Sequence, residues 1–193
     1  MLDAIETPTS VFPPQTEGSL EDRYAEAVPF EAFLPTAEEN ADLWQAVWDR
    51  VRLPQPLVER ATAVPGRWHL LVLSEDWCGD AVNTVPVLAR LAEAVPNLDV
   101  RLLGRDDNPD LMDAHLTNGR SRSVPVVMLL DEDYAERGWW GPRPSELQAW
   151  VMEEGLKLES EERYKHVRRW YARDKGRTTL EEVIAGLEAA AEG

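Results

Sequence analysis

Short apolar runs and helical stripes alternate through the middle of the chain. Four runs rich in Leu, Val and Trp predict strands over residues 67–74, 98–103, 124–130 and 135–140. A helical stripe follows Cys78, and Asn108 with Pro109 favours a second helix start before the third strand. A turn at residues 131–133 joins the last two strands into a hairpin. Strands that alternate with helices predict an α/β fold, with a central sheet flanked by helices.

Helical patterns also flank this central region. Thr36 and Glu39 have the spacing of a capping box, and a Leu and Trp stripe follows them until Pro54. Thr179 and Glu182 have the same spacing and predict the start of the last helix. The predicted organisation is a partly helical N-terminal extension over 1–64, a central domain over 65–156, and C-terminal helices over 157–193 packed on it.

Composition and charge exclude several classes of function. The 193-residue chain has 44% hydrophobic residues, which suffices for a core, and a net charge of −16. Such an acidic chain is expected to bind neither nucleic acid nor an anionic membrane. A single cysteine excludes an internal disulfide, and the first ten residues do not form a secretory signal, so we expect a cytoplasmic protein. The three histidines lack ligand spacing, and we expect no metal and no cofactor.

The candidate chemistry lies in residues 74–81, where a strand ends and a helix begins. A thiol at a helix start meets unpaired N–H groups that favour the thiolate, the reactive form. Glu75, Asp76 and Asp80 oppose this effect, because nearby anions raise a thiol pKa. Gly79 allows another chain to approach closely. Cys78 would also suit a small buried core position, so position alone leaves both alternatives open.

Several separate motifs give this region a family resemblance. Trp77-Cys78-Gly79 after an apolar strand resembles the active-site turn of thioredoxins, and Pro86 stands where they carry a helix-kinking proline. Ser123-Val124-Pro125 resembles their cis-proline loop, and Gly141 also matches. The runs SEDWCGDAVNTVPVL, GRSRSVPVVMLLDED and WWGPRP resemble a bacterial thioredoxin-like branch with a single cysteine. The resemblance implies a thioredoxin-like central sheet and a cis Val124–Pro125 bond.

Two departures from the family pattern define the expected chemistry. Ala81 replaces the second cysteine, and Val72 stands where thioredoxins often carry a buried acid. A protein without the second thiol cannot release itself from a mixed disulfide, so an external thiol must do so. The resemblance therefore implies monothiol thiol–disulfide exchange with a protein or a low-molecular-weight thiol. This function predicts that the pKa of Cys78 lies below about 8.5.

The expected site combines two groups of residues. The catalytic candidates are Cys78, Asp80, Trp77 and Gly79, with Asp80 able to exchange a proton near the sulfur. The substrate-binding candidates are Val124, Pro125, Arg122 and Ser123. The backbone of Val124 would pair with an extended partner by strand addition. The alternative function is a non-redox binding module that uses the same groove, and the sequence carries no signal for the oligomeric state.

Overall fold

The centre of the molecule is a mixed five-stranded sheet. The computed structural model describes residues 11–12 and 18–193. The strands are β1 (Val28–Pro29), β2 (Trp68–Ser74), β3 (Leu98–Gly104), β4 (Val126–Leu130) and β5 (Glu136–Trp140), in the order β1-β3-β2-β4-β5. Strands β2 and β3 are parallel, and the other neighbouring pairs are antiparallel. The α/β fold predicted from the strand and helix patterns is confirmed.

Helices surround this sheet. Within the described ranges they are α1 (Leu20–Glu26), α2 (Phe30–Phe33), α3 (Ala41–Arg50), α4 (Gln55–Ala63), α5 (Gly79–Ala94), α6 (Pro109–Ala114), α7 (Ser145–Glu153), α8 (Ser160–Asp174) and α9 (Arg177–Glu192). Short 3-10 turns, Leu34–Thr36 and Gly155–Lys157, follow α2 and α7. None of the helices in this part of the chain has both the length and the apolar character that crossing a bilayer requires.

The main core lies along the two central strands. Every residue of β2 and β4 is buried, because both faces of these strands are covered by helices or loops. Helix α9 contacts β4, β5, α4 and α5, and so lies against the sheet and its helices. Strand β1 and helices α1–α4 come from the predicted N-terminal extension, and β1 pairs with β3.

Helix α8 belongs to a smaller apolar cluster beside the main core. Tyr171 packs with Leu147 and Val151 of α7, and Trp150, Val167 and Trp170 border them. Tyr164 of the same helix is 55% exposed and is not part of this cluster. Tyr171 also reaches the start of α5 through a hydrogen bond described below, which links the cluster to the main domain.

The predicted capping box at Thr36 and Glu39 is wrong. Thr36 ends a 3-10 turn, and its hydroxyl donates to the Phe33 carbonyl at 2.7 Å. The backbone N–H of Glu39 donates to Asp76 Oδ2 at 2.8 Å, so helix α3 begins later, after Asn40. A tertiary acceptor has replaced the local one, which a spacing pattern cannot reveal.

The second predicted capping box is also wrong. Helix α9 begins at Arg177 after Gly176, and the Thr179 side chain is buried within the first turn. Glu182 instead accepts hydrogen bonds from Trp140 Nε1 at 2.7 Å and from the Ser145 backbone N–H at 2.9 Å. These contacts attach α9 to β5 and to the start of α7.

The sequence analysis does not predict helix α4. Pro54 ends the apolar stripe of α3, as predicted, but it is also the residue immediately before α4. Proline suits the first positions of a helix because their N–H groups have no intrahelical partner, and Pro56 occupies one of them. The same residue type thus marks an end and a start within a few positions.

Candidate active site at the start of helix α5

Cys78 lies between the central strand β2 and helix α5. It is the residue before the first helical position, and its carbonyl accepts the Val82 N–H at 3.0 Å. Its Sγ lies 3.2 Å from the carbonyl oxygen of Val124, and the residue is 8% exposed. The Val124–Pro125 peptide bond is cis. The structure therefore brings together Cys78 and the loop at residues 124–125, which the sequence assigned to one site.

The ionisation of Cys78 differs from the sequence-based expectation. Burial, followed by the negative charge of Asp80, raises the pKa of the thiol to about 11, although the N–H groups of Ala81 and Asp80 lower it. The prediction of a pKa below 8.5 is wrong, because removing the sulfur from water outweighs the helix-start effect. At pH 7 a thiol with this pKa is ionised in about one molecule in ten thousand.

Asp80 is held by two side chains that the sequence analysis did not assign to the site. The Tyr171 hydroxyl donates to Asp80 Oδ1 at 2.9 Å, and Arg143 Nε donates to Asp80 Oδ2 at 3.1 Å. Arg143 Nη1 also donates to Gln148 Oε1 at 2.7 Å. Arg143 lies in the WWGPRP run, which is a signal in the sequence, whereas no motif in the sequence points to Tyr171.

Glu75 is the second acid of the turn, and it is fully buried. Its Oε1 accepts the Asp106 N–H at 3.3 Å, while Oε2 has no hydrogen-bond partner within the described ranges. Burial raises the pKa of this carboxyl from 4.5 to about 7. Val72 is apolar and buried, as the sequence indicates, but Glu75 supplies a buried acid three residues before Cys78.

Asp76 attaches the segment before α3 to the turn that precedes Cys78. Its Oδ2 accepts the backbone N–H groups of Glu38 and Glu39, at 2.9 and 2.8 Å. Its carbonyl accepts Trp44 Nε1 at 2.9 Å, and Trp44 is itself fully buried. Asp76 therefore has a structural role in fixing the turn against the segment before α3.

The remaining predicted site residues surround this centre. The Trp77 ring is half-buried under the Arg105 guanidinium, whose carbon lies 4.8 Å from the ring centroid. A Cβ at Gly79 would meet no described atom within 4 Å, so this glycine leaves open space. Arg122 lies on the surface and makes two hydrogen bonds with Asp113, at 2.7 and 2.6 Å. The Ser123 hydroxyl pairs with that of Ser121 at 2.8 Å.

Gly141 fits the loop after β5 against the 124–125 loop. Its φ is +140°, and a Cβ built there would lie 2.1 Å from the Pro125 carbonyl oxygen. A side chain at this position is therefore incompatible with the observed approach of the two backbones. Across the described residues, no cluster of three His, Cys, Asp or Glu side chains could hold a metal ion.

The sheet order, the cysteine at the start of α5 and the facing cis-proline loop define a thioredoxin-like protein. The thioredoxin family model matches residues 27–180, so the chain belongs to the thioredoxin family. No curated protein matches the chain.

Two solved structures share the fold. A protein of unknown function from Pseudomonas aeruginosa is 19% identical, with a TM-score of 0.72 over 90% of this chain and 99% of that one. An HIV epitope-scaffold is also 19% identical, with a TM-score of 0.71 over 89% of this chain and 99% of the scaffold. At this level of identity the likeness concerns the fold alone.

Proposed function

We propose that the protein is a monothiol member of its family, of the bacterial single-cysteine type, which forms mixed disulfides through Cys78. The observation that carries this proposal is the 3.2 Å distance between Cys78 Sγ and the Val124 carbonyl oxygen. A partner chain that paired with Val124 would lie directly beside the sulfur. The partner is a protein disulfide or a low-molecular-weight disulfide, and no metal or cofactor takes part in the proposal.

The proposed exchange is a simple displacement. The Cys78 thiolate attacks one sulfur of the partner disulfide, a new S–S bond forms, and the other sulfur leaves as a thiolate that takes up a proton. The position of a resolving cysteine is occupied by Ala81, which is fully buried. An external thiol must therefore attack the mixed disulfide, releasing Cys78 and forming a disulfide with the partner. A reducing compartment would supply that thiol.

The resting site favours slow reaction and a durable product. Cys78 is protonated at neutral pH because its pKa is raised to about 11, and its thiol is within hydrogen-bonding distance of the Val124 carbonyl. A partner N–H that donated to this carbonyl would compete with the thiol and free it. A thiol of high pKa is also a poor leaving group, so the mixed disulfide would persist until external thiol arrives.

Trapping tests this proposal. Purified wild-type protein incubated with glutathione disulfide should gain the mass of one glutathionyl group, and dithiothreitol should remove it. In a lysate without reductant, the same protein should form covalent complexes that dithiothreitol releases. Cys78→Ser is the matched control and should form neither product. Wild-type protein that forms no adduct with glutathione disulfide and no covalent complex in the lysate would contradict the proposal.

The second candidate function is a non-redox binding module that uses the same loop. The observation that favours it is the protonated, 8% exposed thiol beside Val124, which suits a structural contact. Serine can donate the same hydrogen bond to the Val124 carbonyl. A partner retained equally by wild-type protein and Cys78→Ser in the presence of reductant would support the binding module. A partner that wild-type protein retains only without reductant, and that Cys78→Ser does not retain, supports exchange.

A further inference from the structure

The charged cluster around Asp80 is less exposed and has more hydrogen bonds than an isolated ion pair on the surface. The Asp80 side chain is 13% exposed and that of Arg143 is 18% exposed, so water screens their interaction little. Both carboxylate oxygens are used, one by the Tyr171 hydroxyl and the other by the Arg143 guanidinium. Gln148 of α7 accepts from Arg143 and fixes the other side of the guanidinium.

These three side chains come from distant parts of the chain. Asp80 lies in the first turn of α5, Arg143 in the loop after β5, and Tyr171 in helix α8. A buried carboxylate needs such partners, because an unpaired charge inside a protein is strongly unfavourable. The partners also determine where its charge lies relative to Cys78, which is two residues away at the start of the same helix.

We propose that Arg143 and Tyr171 are positioning residues that act on Cys78 through Asp80. By binding both oxygens of the carboxylate, they fix the position of its negative charge and reduce the effect of that charge on the sulfur. They thereby set the rate at which Cys78 reacts. This inference deepens the proposed function and rests on Cys78 being the reacting thiol, but its test needs no partner protein.

The electrostatic signs of the cluster support the inference. Asp80 raises the pKa of Cys78, and Arg143 lowers it. The pKa of Tyr171 is raised well above 10, by burial and then by Asp80, so its hydroxyl remains a hydrogen-bond donor at neutral pH. Loss of Arg143 should therefore make Cys78 harder to ionise, whereas loss of the Asp80 charge should make it easier.

The test measures the alkylation rate of Cys78 by iodoacetamide between pH 7 and 10. Arg143→Gln should react about tenfold more slowly than wild type at each pH, as a shift of one pKa unit requires. Asp80→Asn should react about tenfold faster up to about pH 9 and about fivefold faster at pH 10, and the double variant should lie between the two. Tyr171→Phe keeps the aromatic ring in its cluster and should slow the reaction by about two- to threefold, since one donor to Asp80 is lost.

One control variant and the direction of the rate change separate positioning from a structural role. Arg60→Gln removes the same charge from an exposed pair with Glu188 and should leave the alkylation rate unchanged. If the cluster only supported the fold, Arg143→Gln would loosen the site and speed alkylation. A folded Arg143→Gln variant that reacts at or above the wild-type rate would overturn the inference. If Arg143→Gln does not fold, the inference is overturned by a folded Tyr171→Phe variant whose alkylation rate is at or above that of the wild type.

The outcome is independent of the trapping experiment. Slower alkylation in Arg143→Gln without any mixed disulfide from wild-type protein would reject the exchange function and keep the positioning role. Mixed disulfides with unaltered alkylation in Arg143→Gln would keep the function and reject the positioning role. Circular dichroism melting of each variant shows whether it is folded at the temperature of the assay.

Discussion

Gly141→Ala should lower the free energy of unfolding by about 3–5 kcal/mol, the largest effect we expect from a single added methyl group. Two causes act together at this position. A φ of +140° is strained for any residue with a side chain, and the new Cβ would lie 2.1 Å from the Pro125 carbonyl oxygen. Because that oxygen belongs to the backbone, relief requires the 124–125 loop to move.

Gly119→Ala is the matched control for this substitution. Gly119 also has a positive φ, +66°, but a Cβ there meets no described atom within 4 Å. Its replacement should cost only the conformational strain, about 1 kcal/mol. Urea unfolding of both variants measures the difference, and equal costs would show that the contact with Pro125 is unimportant. A stable Gly141→Ala variant should also show an altered rate of Cys78 alkylation. Displacing Pro125 also displaces Val124, whose carbonyl oxygen lies 3.2 Å from Cys78 Sγ.

Glu75→Gln should stabilise the protein at alkaline pH by up to about 3 kcal/mol. The folded pKa of Glu75, about 7, lies above its ordinary value of 4.5, because the carboxyl is buried. The folded state therefore binds this proton more tightly than the unfolded state. The corresponding contribution to stability is complete below pH 4.5 and is lost as the pH rises through about 7. Glutamine stays neutral and avoids the loss.

Urea unfolding of wild type and Glu75→Gln at several pH values between 4 and 8.5 tests this expectation. The two proteins should be similar near pH 4, and the variant should become progressively more stable above pH 5. Glu153→Gln removes an exposed carboxylate from α7 and serves as the control. A Glu75→Gln variant whose advantage does not grow with pH would show that Glu75 ionises without cost in the folded protein.

The parts of the fold that the sequence predicts are those specified by local patterns. The runs that form β2 and β4 are almost continuously apolar because both strands are fully buried. Such runs can be identified without knowing which elements pack against them. The turn around Cys78 was recognisable because its residues are adjacent in the chain. The loop at residues 124–125 was recognisable for the same reason.

The parts that the sequence did not predict depend on distant contacts. Asp80 is 63 residues from Arg143 and 91 residues from Tyr171, and no spacing rule connects them. The ionisation of Cys78 depends on its burial, which is a property of the whole packed domain. The capping boxes at Thr36 and Thr179 were wrong because side chains elsewhere in the fold engage Glu39 and Glu182.

Strand β1 has a consequence for how copies of the protein behave at high concentration. An open sheet margin with free N–H and C=O groups is a template for intermolecular pairing and aggregation. At this margin the strand is only two residues long, and Pro29 has no N–H to offer. Pairing of another molecule with β1 is therefore disfavoured.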